Sequence, residues 1–276
     1  MRKPEALEPG VMFWAGRDDL ATIEGLGVKC GQLGIGGEYS MDDAAVRQWS
    51  GAFEAGQFAI STAVAAYAGE DYADIPTVQR TVGFIPPATR KERVQRTLEL
   101  SDFAAKLGIP SIACHIGFVP EDRSAADYIG VREEVRRICD HAASHGQTFV
   151  LETGQEPAAD LLAFLQDVDR ANLGINFDPA NMILYGTGDP IEALRLLRPH
   201  VLSVHCKDGD WPPKDKPAAL GNERPLGQGS VGIPRFIQIL RDTGFQGSLN
   251  VEREVEDQAQ RLRDIASGIA LLRSLL

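Results

Sequence analysis

Four side chains that can bind a metal ion stand at the ends of four successive apolar segments. The segments are TFVLE, LGINFD, VLSVH and SLNVE, and their final residues are Glu152, Asp178, His205 and Glu252. Charged groups at the end of a buried segment are costly to remove from water unless they are paired or bound to a cation. Since all four occupy the same place in their segments, we interpret them as ligands of one divalent metal ion, not as four separate ion-pair residues.

Three carboxylates and one imidazole offer mainly oxygen ligands, which favour a catalytic cation over a closed structural zinc site built from thiolates. We expect Mn²⁺, with Mg²⁺, Co²⁺ or a loosely held Zn²⁺ as alternatives. The main alternative for the fourth ligand is Glu254, because it lies two residues after Glu252 and faces the same way along a strand.

Two further polar residues occupy places where they could act on a substrate. His115 ends another apolar segment, in CHIGF, and is a candidate acid–base or substrate-binding group. Lys207 follows His205 by two residues and so faces the same way if the strand continues. It could bind Glu152 or a substrate oxygen, and the alternative is a solvated loop charge.

Aromatic side chains offer a possible hydrophobic wall for one face of a sugar ring. Trp14 and its neighbour Phe13 lie in the first apolar segment, and Trp211 lies in a long loop. Packing in the core is the equal alternative for these residues.

The remaining histidines have positions that favour structural roles. His141 and His145 lie on the predicted helix before the fifth strand, and His200 precedes the seventh strand, at the opposite rim from the strand ends. A cationic or dipolar side chain in the last turn of a helix is favoured by the helix dipole, which explains His145 without a ligand.

A glycine-rich segment before a late helix could bind a phosphate group. Residues 227–232 read GQGSVG, and backbone amides at a helix start attract anions. The segment lacks the lysine of a P-loop. Phosphate binding is therefore left open by the sequence.

The elements that must position these residues alternate regularly along the chain. Apolar segments that predict strands cover residues 11–15, 28–33, 58–64, 111–116, 148–152, 173–177, 201–205 and 248–252. Amphipathic segments that predict helices lie near residues 18–25, 42–56, 91–107, 125–145, 157–169, 190–197, 233–242 and 257–275. Eight strand–helix pairs in a chain of 276 residues predict a single (β/α)₈ TIM barrel over residues 1–276.

An open doubly wound sheet shares this alternation, but no glycine-rich dinucleotide turn follows the first strand. In a barrel, the carboxyl ends of all strands meet at one rim, together with the loops that follow them. The two longest of these loops, residues 65–90 and 206–230, are expected to border the active site and set its specificity.

Composition narrows the choice of partners. A net charge of −11 makes nucleic acid an unexpected partner, because duplex binding needs many lysine and arginine contacts to phosphate.

None of the four cysteines forms a C-x-x-C pair, and buried free thiols indicate a reducing, cytoplasmic location. The first ten residues lack the apolar segment of a signal peptide, and no membrane span is expected. A homo-oligomer is possible.

The combined motifs resemble the xylose-isomerase-like TIM barrels, a superfamily that includes sugar-phosphate isomerases, epimerases and the endonuclease IV type of enzyme. The motifs are LETG, NFDPAN, VHCKD and NVERE, with HIG after the fourth strand. Within it, the chain is most similar to the keto-sugar 3-epimerases of the tagatose/psicose type. That resemblance implies that the four strand-end residues hold one metal and that Glu152 and Glu252 also move the proton.

Two departures from the epimerase pattern concern substrate contacts. The epimerases usually have a histidine three residues after the ligand aspartate, where this chain has Asn181. They also tend to have an arginine shortly after the ligand histidine, where this chain reads HCKDGDWPP, with Lys207 and Trp211. We therefore expect Asn181, Lys207, Trp14 and Trp211 to bind a substrate that differs from simple free ketohexoses.

The resulting hypothesis is a metal-dependent sugar isomerase or epimerase. It would act on a keto sugar or related polyhydroxylated carbonyl compound, through proton abstraction next to a polarised carbonyl and an enediolate intermediate. The alternative is a metal-dependent lyase or dehydratase of a keto-polyol or 3-keto-glycoside, which begins with the same deprotonation. DNA cleavage of the endonuclease IV type needs a trinuclear zinc site with more histidines than the five present. A non-catalytic partner subunit would not need the intact ligand set.

Overall fold

The protein was analysed as a computed structural model that describes residues 7–216 and 218–276. Residues 1–6, which belong to the N-terminal segment expected to lack a signal peptide, lie outside the described residues. So does Pro217, within the second long loop.

Eight parallel strands close into a barrel, which confirms the predicted single (β/α)₈ TIM fold. The barrel strands are β1 (Glu8–Trp14), β2 (Cys30–Ile35), β3 (Ala59–Ala65), β4 (Ser111–Cys114), β5 (Thr148–Glu152), β6 (Leu173–Phe177), β7 (Val201–Cys206) and β10 (Ser248–Val251). Each corresponds to one predicted apolar segment. Two short strands, β8 (Asp208–Asp210) and β9 (Asn222–Arg224), form an antiparallel hairpin outside the barrel.

Helices connect the strands around the outside of the barrel. They are α1 (Leu20–Gly25), α2 (Asp43–Gly56), α3 (Ile75–Thr81), α4 (Pro87–Lys106), α5 (Ala126–Ser144), α6 (Ala158–Val168), α7 (Pro179–Tyr185), α8 (Pro190–Leu197), α9 (Ile233–Asp242) and α10 (Gln258–Leu275). The eight predicted helices are present. The sequence prediction missed α3 and α7, and also a short 3₁₀ turn at Arg198–His200.

Both long loops contain regular structure. Helix α3 lies in the loop after β3, and the β8–β9 hairpin lies in the loop after β7. Neither element was predicted, because we recognised no helical or strand pattern in these two loops.

Alternate residues of each strand face the barrel interior or the helix layer. Met12 packs inside the barrel with Val64 of β3, and Trp14 packs against the same interior group. Phe13 points the other way, into the core between strands and helices, where its ring lies 5.9 Å from that of Phe58. Of the two alternatives for Phe13, core packing is therefore the one observed, because adjacent strand residues face opposite sides and Phe13 faces away from the interior.

A buried ion pair ties the last helix to the first strand–helix loop. Arg261 of α10 donates to Asp18 at 2.6 Å, across a separation of 243 residues. Asp18 also accepts a hydrogen bond from the backbone amide of Trp14, at the end of β1. The pair thus fixes α10 near β1. β1 is the strand that pairs with β10 to close the barrel.

All four cysteines are buried and free, as expected from their spacing. Among the described residues, no helix is both long and apolar enough to cross a membrane.

Candidate metal and substrate site

The barrel brings the four predicted metal ligands into one buried group, which we call the inner cluster. Its members come from the ends of β5, β6, β7 and β10, and they are Glu152, Asp178, His205 and Glu252. One ligand atom of each residue lies within 4.8 Å of those of the others. The inner cluster therefore has the size of a single cation site.

His205 lies at the centre of the inner cluster. Its Nδ1 is 3.1 Å from Glu152 Oε1, 3.0 Å from Glu252 Oε2 and 3.6 Å from Asp178 Oδ2. Its other ring nitrogen, Nε2, lies 2.6 Å from Gln32 Oε1 on β2 and donates to that oxygen. Gln32 thereby holds the imidazole with Nδ1 facing the carboxylates, as the outer partners of metal-binding histidines do.

Two carboxylate oxygens of the inner cluster accept no hydrogen bond from the described residues and are approached only by the charged groups of His205 and Lys207. Asp178 Oδ2 and Glu252 Oε2 are buried and accept no hydrogen bond from any residue that the structure describes. The other oxygen of Asp178, Oδ1, accepts from the backbone amides of Ala180 and Asn181 and so caps helix α7. Buried carboxylate oxygens that accept no hydrogen bond are costly. The donor set and these two oxygens fit a bound divalent cation.

Electrostatics within the inner cluster favour charged side chains. Burial opposes a charge on His205, but Glu252 and Glu152 outweigh it and hold the pKa of His205 well above its usual value. Burial also tends to raise the pKa of Glu252, yet His205 and Lys207 lower it to about 2. The pKa of Glu152 is lowered too, as the charges on His115 and His205 overcome burial. Both glutamates are therefore ionised near neutral pH.

Lys207 supplies a buried positive charge beside the inner cluster. Its Nζ lies 2.7 Å from Glu254 Oε2, 3.3 Å from Glu252 Oε2 and 4.0 Å from Asp178 Oδ2. Burial lowers the pKa of Lys207, but these carboxylates raise it well above its usual value. Lys207 therefore faces the cluster as its spacing predicted, although its partners are Glu252 and Glu254 and not Glu152.

Glu254, the alternative fourth ligand, lies at the edge of the site. Its side chain is 54% exposed and pairs with Lys207. The group of convergent ligand atoms contains Glu252 in its place. The geometry thus favours Glu252 as the fourth ligand.

Asn181 and His115 both contact Glu152. Asn181, on the first turn of α7, donates from Nδ2 to Glu152 Oε1 at 3.1 Å. His115, just after β4, places Nε2 3.5 Å from the same oxygen, and its Nδ1 lies 3.2 Å from Gln155 Oε1. One oxygen of Glu152 is therefore oriented from two sides.

The loop after β5 contributes buried polar residues that the sequence prediction missed. Gln155 is buried, and its Nε2 has no hydrogen-bond partner among the described residues. Glu156 is also buried, accepts from the backbone amide of Val119, and has a pKa raised by burial to about 7. The polar run TGQE directly after a strand that ends in a candidate ligand was the available signal.

The two predicted tryptophans differ in their surroundings. Trp14 lies over Gly34 of β2, where an added Cβ would come within 2.5 Å of the indole. Trp14 and Glu254 also line an open cavity of about 630 Å³. Trp211 directly follows β8 and is 42% exposed, and it is not among the residues that line that cavity. Trp14 is thus the one of the two that shares a cavity with a residue bordering the inner cluster.

The glycine-rich segment binds an internal carboxylate. Asp208, which follows Lys207, is buried and accepts backbone hydrogen bonds from Gly227 at 2.9 Å, Gly229 at 3.0 Å and Val231 at 3.1 Å. A Cβ at Gly229 would lie 2.4 Å from Asp208 Oδ1, so this approach requires glycine. Three of the amides considered for phosphate binding are therefore already engaged by this carboxylate.

Comparison with known structures supports the same fold over almost the whole chain. A xylose isomerase domain protein from Planctomyces limnophilus is 41% identical, with a TM-score of 0.93 over 98% of this chain and 97% of that one. A D-psicose 3-epimerase is 18% identical, with a TM-score of 0.69 over 98% of this chain and 99% of that one. The probable 3-DHS dehydratase AsbF from Bacillus anthracis is 19% identical, with a TM-score of 0.69 over 96% and 98%.

At these lower identities, the epimerase and the dehydratase show a shared fold alone. A curated relative, the uncharacterized protein YihM of Escherichia coli K12, is 24% identical over 143 residues. That match covers 50% of this chain and 43% of YihM, so it spans less than half of that relative. The model of the xylose isomerase-like TIM barrel family matches residues 20–275, and the chain belongs to that family.

Proposed function

We propose that this protein is a divalent-metal-dependent isomerase or epimerase of a keto sugar or a related polyhydroxylated carbonyl compound. The observation that carries the proposal is the inner cluster, in which three buried carboxylates and one imidazole converge and two carboxylate oxygens accept no hydrogen bond from the described residues. Glu152, Asp178, His205 and Glu252 would hold the cation, with Mn²⁺ as our first choice and Mg²⁺, Co²⁺ or Zn²⁺ as alternatives. Such a cation polarises a carbonyl and its neighbouring hydroxyl, which makes the carbon-bound hydrogen acidic.

Glu152 and Glu252 are the proposed acid–base pair. They stand on β5 and directly after β10, with β6 and β7 between those strands, so they approach a bound substrate from different sides. Each is ionised near neutral pH and can accept a proton. One glutamate would remove the proton from one face of the carbon, and the other would return a proton to the opposite face.

The neighbouring side chains would orient this pair. Asn181 and His115 contact Glu152, and Lys207 contacts Glu252. Asn181 offers Glu152 an amide that does not titrate. We therefore expect slow turnover of simple free ketohexoses. Activity should be better on a larger keto compound.

A lyase or dehydratase acting on a keto-polyol or 3-keto-glycoside is the second candidate. The observation in its favour is His115, which is partly exposed and lies within reach of Glu152 on one side and Gln155 on the other. A histidine so placed could donate a proton to a leaving group after the first deprotonation. The fold shared with a probable dehydratase is compatible with this alternative.

We further infer that the substrate carries no phosphate group at the glycine-rich segment. Asp208 already supplies a negative charge to the amides there, and a phosphate would have to displace it. Comparing kcat/KM for the phosphorylated and free forms of the same keto sugar tests this inference. A clearly higher kcat/KM for the phosphorylated form would contradict it.

The proposed reaction can be tested with metal-loaded protein and a panel of keto sugars and keto-polyols in D₂O. Mass spectrometry separates solvent deuterium incorporation, which an isomerase or epimerase gives, from loss of water or bond cleavage, which a lyase gives. His205→Gln is the matched inactive control, because it removes a proposed ligand. No exchange and no product with any of the four cations would contradict the proposal.

A further inference from the structure

A second group of metal-competent side chains lies on the outside of the barrel. We call it the helix cluster, and it consists of Asp102 on α4 with His141 on α5 and His145 directly after α5. These positions are near the carboxyl ends of the two helices. Because barrel helices run back against the strands, this end is opposite the rim that holds the inner cluster. The helix cluster is therefore a separate place in the molecule.

The geometry of the helix cluster is convergent. His141 and His145 are four residues apart, so they lie on the same face of one helical segment. The Nε2 atoms of both rings lie 2.8 Å from one oxygen, Asp102 Oδ1. The ring centroids are 5.2 Å apart and the planes are nearly perpendicular, at 78°. Three potential ligand atoms thus point at one small volume between the two helices.

We propose that Asp102, His141 and His145 form a second cation site, suited to Zn²⁺ or to another late first-row divalent metal such as Ni²⁺ or Cu²⁺. Two imidazoles and one carboxylate favour these metals, whereas the oxygen-rich inner cluster suits Mn²⁺ or Mg²⁺. The histidine side chains are about one third exposed and that of Asp102 is 51% exposed, so an ion can enter from solvent. Water would complete the coordination.

The change needed for binding is small. Without a cation, each imidazole must carry its hydrogen on Nε2 to donate to the carboxylate. On binding, that hydrogen moves to Nδ1, or is released if the ring was protonated, and the Nε2 lone pair turns to the metal. Zinc–nitrogen and zinc–oxygen distances are about 2.0–2.2 Å, which requires the three ligand atoms to spread only slightly from their present spacing.

Occupation of the site would join α4 to α5. Asp102 is separated by 39 residues from His141 and by 43 residues from His145, and the unfolded chain does not hold them together. A cation that binds only the folded arrangement stabilises it. The inference is independent of the proposed reaction, since it concerns the opposite end of the barrel.

Zinc titration of chelator-treated protein by calorimetry tests the site. We compare the wild type with the double variant His141→Gln/His145→Gln, which keeps amide donors for Asp102 but removes both imidazole ligands. The wild type should bind about one equivalent of Zn²⁺ more than the double variant, whatever the inner cluster takes up. His200→Gln is the matched control for a histidine outside both clusters. Equal stoichiometry in the wild type and the double variant would overturn the proposal.

Electron paramagnetic resonance of bound Cu²⁺ gives a second readout. The helix cluster offers two imidazole nitrogens, and the inner cluster offers only one. Coupling to two nitrogens should be seen in the wild type and lost in the double variant. Asp102→Asn should weaken Zn²⁺ binding with both histidines intact. Coupling to one nitrogen in every variant would assign the copper to the inner cluster and overturn the proposal. Turnover with Mn²⁺ should be unchanged in all these variants.

Discussion

The inner cluster and the helix cluster combine the same side-chain types at opposite ends of one barrel, and they differ in how their charges are satisfied. All members of the inner cluster are buried, and two of its carboxylate oxygens accept no hydrogen bond from the described residues. In the helix cluster, Asp102 accepts from both imidazoles and is exposed to water. In the inner cluster, His205 and Lys207 offset part of the buried negative charge. The inner cluster could bind a cation that completes this charge balance, whereas the carboxylate of the helix cluster is already satisfied by the two imidazoles and by water.

The largest expected effect is on proton transfer at the inner cluster. Glu152→Gln and Glu252→Gln should each reduce kcat by about 10²- to 10⁴-fold, the usual range for loss of a general acid or base. The loss should persist at saturating Mn²⁺, because a ligand that also moves a proton cannot be replaced by excess metal. Steady-state kinetics measure the change in kcat. C–H exchange in D₂O shows which face of the substrate carbon has lost proton transfer.

His115→Ala is the comparison that could break this assignment. If it alone abolishes exchange, while both glutamine variants with restored metal exchange at wild-type rates, the two-carboxylate mechanism is wrong. A histidine base, as in the lyase alternative, would then be the better account.

Lys207→Met tests the charge balance of the inner cluster. Removing this ammonium leaves Glu252 and Asp178 less compensated, and we expect a loss of about 3–5 kcal/mol in the unfolding free energy of metal-free protein. Metal-loaded protein should lose less, since the cation replaces the missing charge. Denaturant unfolding with and without Mn²⁺ measures both values. Lys214→Met, at an exposed loop residue, is the control, and an equal loss with and without metal would contradict the argument.

Glu156 should make stability depend on pH. Its pKa is raised by burial to about 7 in the folded protein, above the usual 4.5. Between these values the folded state binds more protons than the unfolded state, so this group stabilises the protein at low pH and the contribution is lost as pH rises through 7. Glu156→Gln should remove this pH-dependent loss of unfolding free energy, which amounts to about 3 kcal/mol in the wild type.

The measurement is the unfolding free energy of Glu156→Gln relative to wild type at pH 5 and pH 8. Relative to wild type, the unfolding free energy of the variant should be higher at pH 8 than at pH 5. Glu92→Gln, at an exposed position of α4, should show no such shift. A constant difference for Glu156→Gln across this range would show that the carboxyl is not kept protonated by burial.

The smallest effect is expected at the helix cluster. In metal-free protein, Asp102→Asn should change the unfolding free energy by less than about 1 kcal/mol, as is usual for exposed ion pairs. kcat should not change, because Asp102 lies at the other end of the barrel. Thermal unfolding and kinetics of the same preparation check both points, and a loss as large as that of Lys207→Met would remove the contrast between the clusters.

The strand-end residues of the inner cluster were predictable because a parallel barrel places equivalent positions of successive strands at one rim. The dual role of Asp178 was not. One of its oxygens caps α7 and the other accepts no hydrogen bond from the described residues, and the missed helix begins directly after it. Because we interpreted Asp178 only as a metal ligand, we did not recognise it as the N-cap of α7.

Other features depend on contacts between distant segments. The segment VMFWA is apolar on both faces, so the sequence could not show that Trp14 faces inward and Phe13 outward. The role of Asp208 becomes visible only when the amides of Gly227, Gly229 and Val231 are placed around it. His141 and His145 were expected to have structural roles on one helix, and the sequence did not show that they share a partner, Asp102, on a different helix.

The closure of the barrel near its two chain ends sets an order of assembly during synthesis. Glu8 pairs with Ser248, and Arg261 binds Asp18 across 243 residues. At about 5–20 residues per second, a ribosome needs roughly 12–50 s to make the chain between the two members of that ion pair. Until β10 is made, the edge of β1, and later also that of β7, lacks its neighbour and can pair wrongly. Glu252 emerges with β10, so a nascent chain has no complete inner cluster until the ring of strands can close.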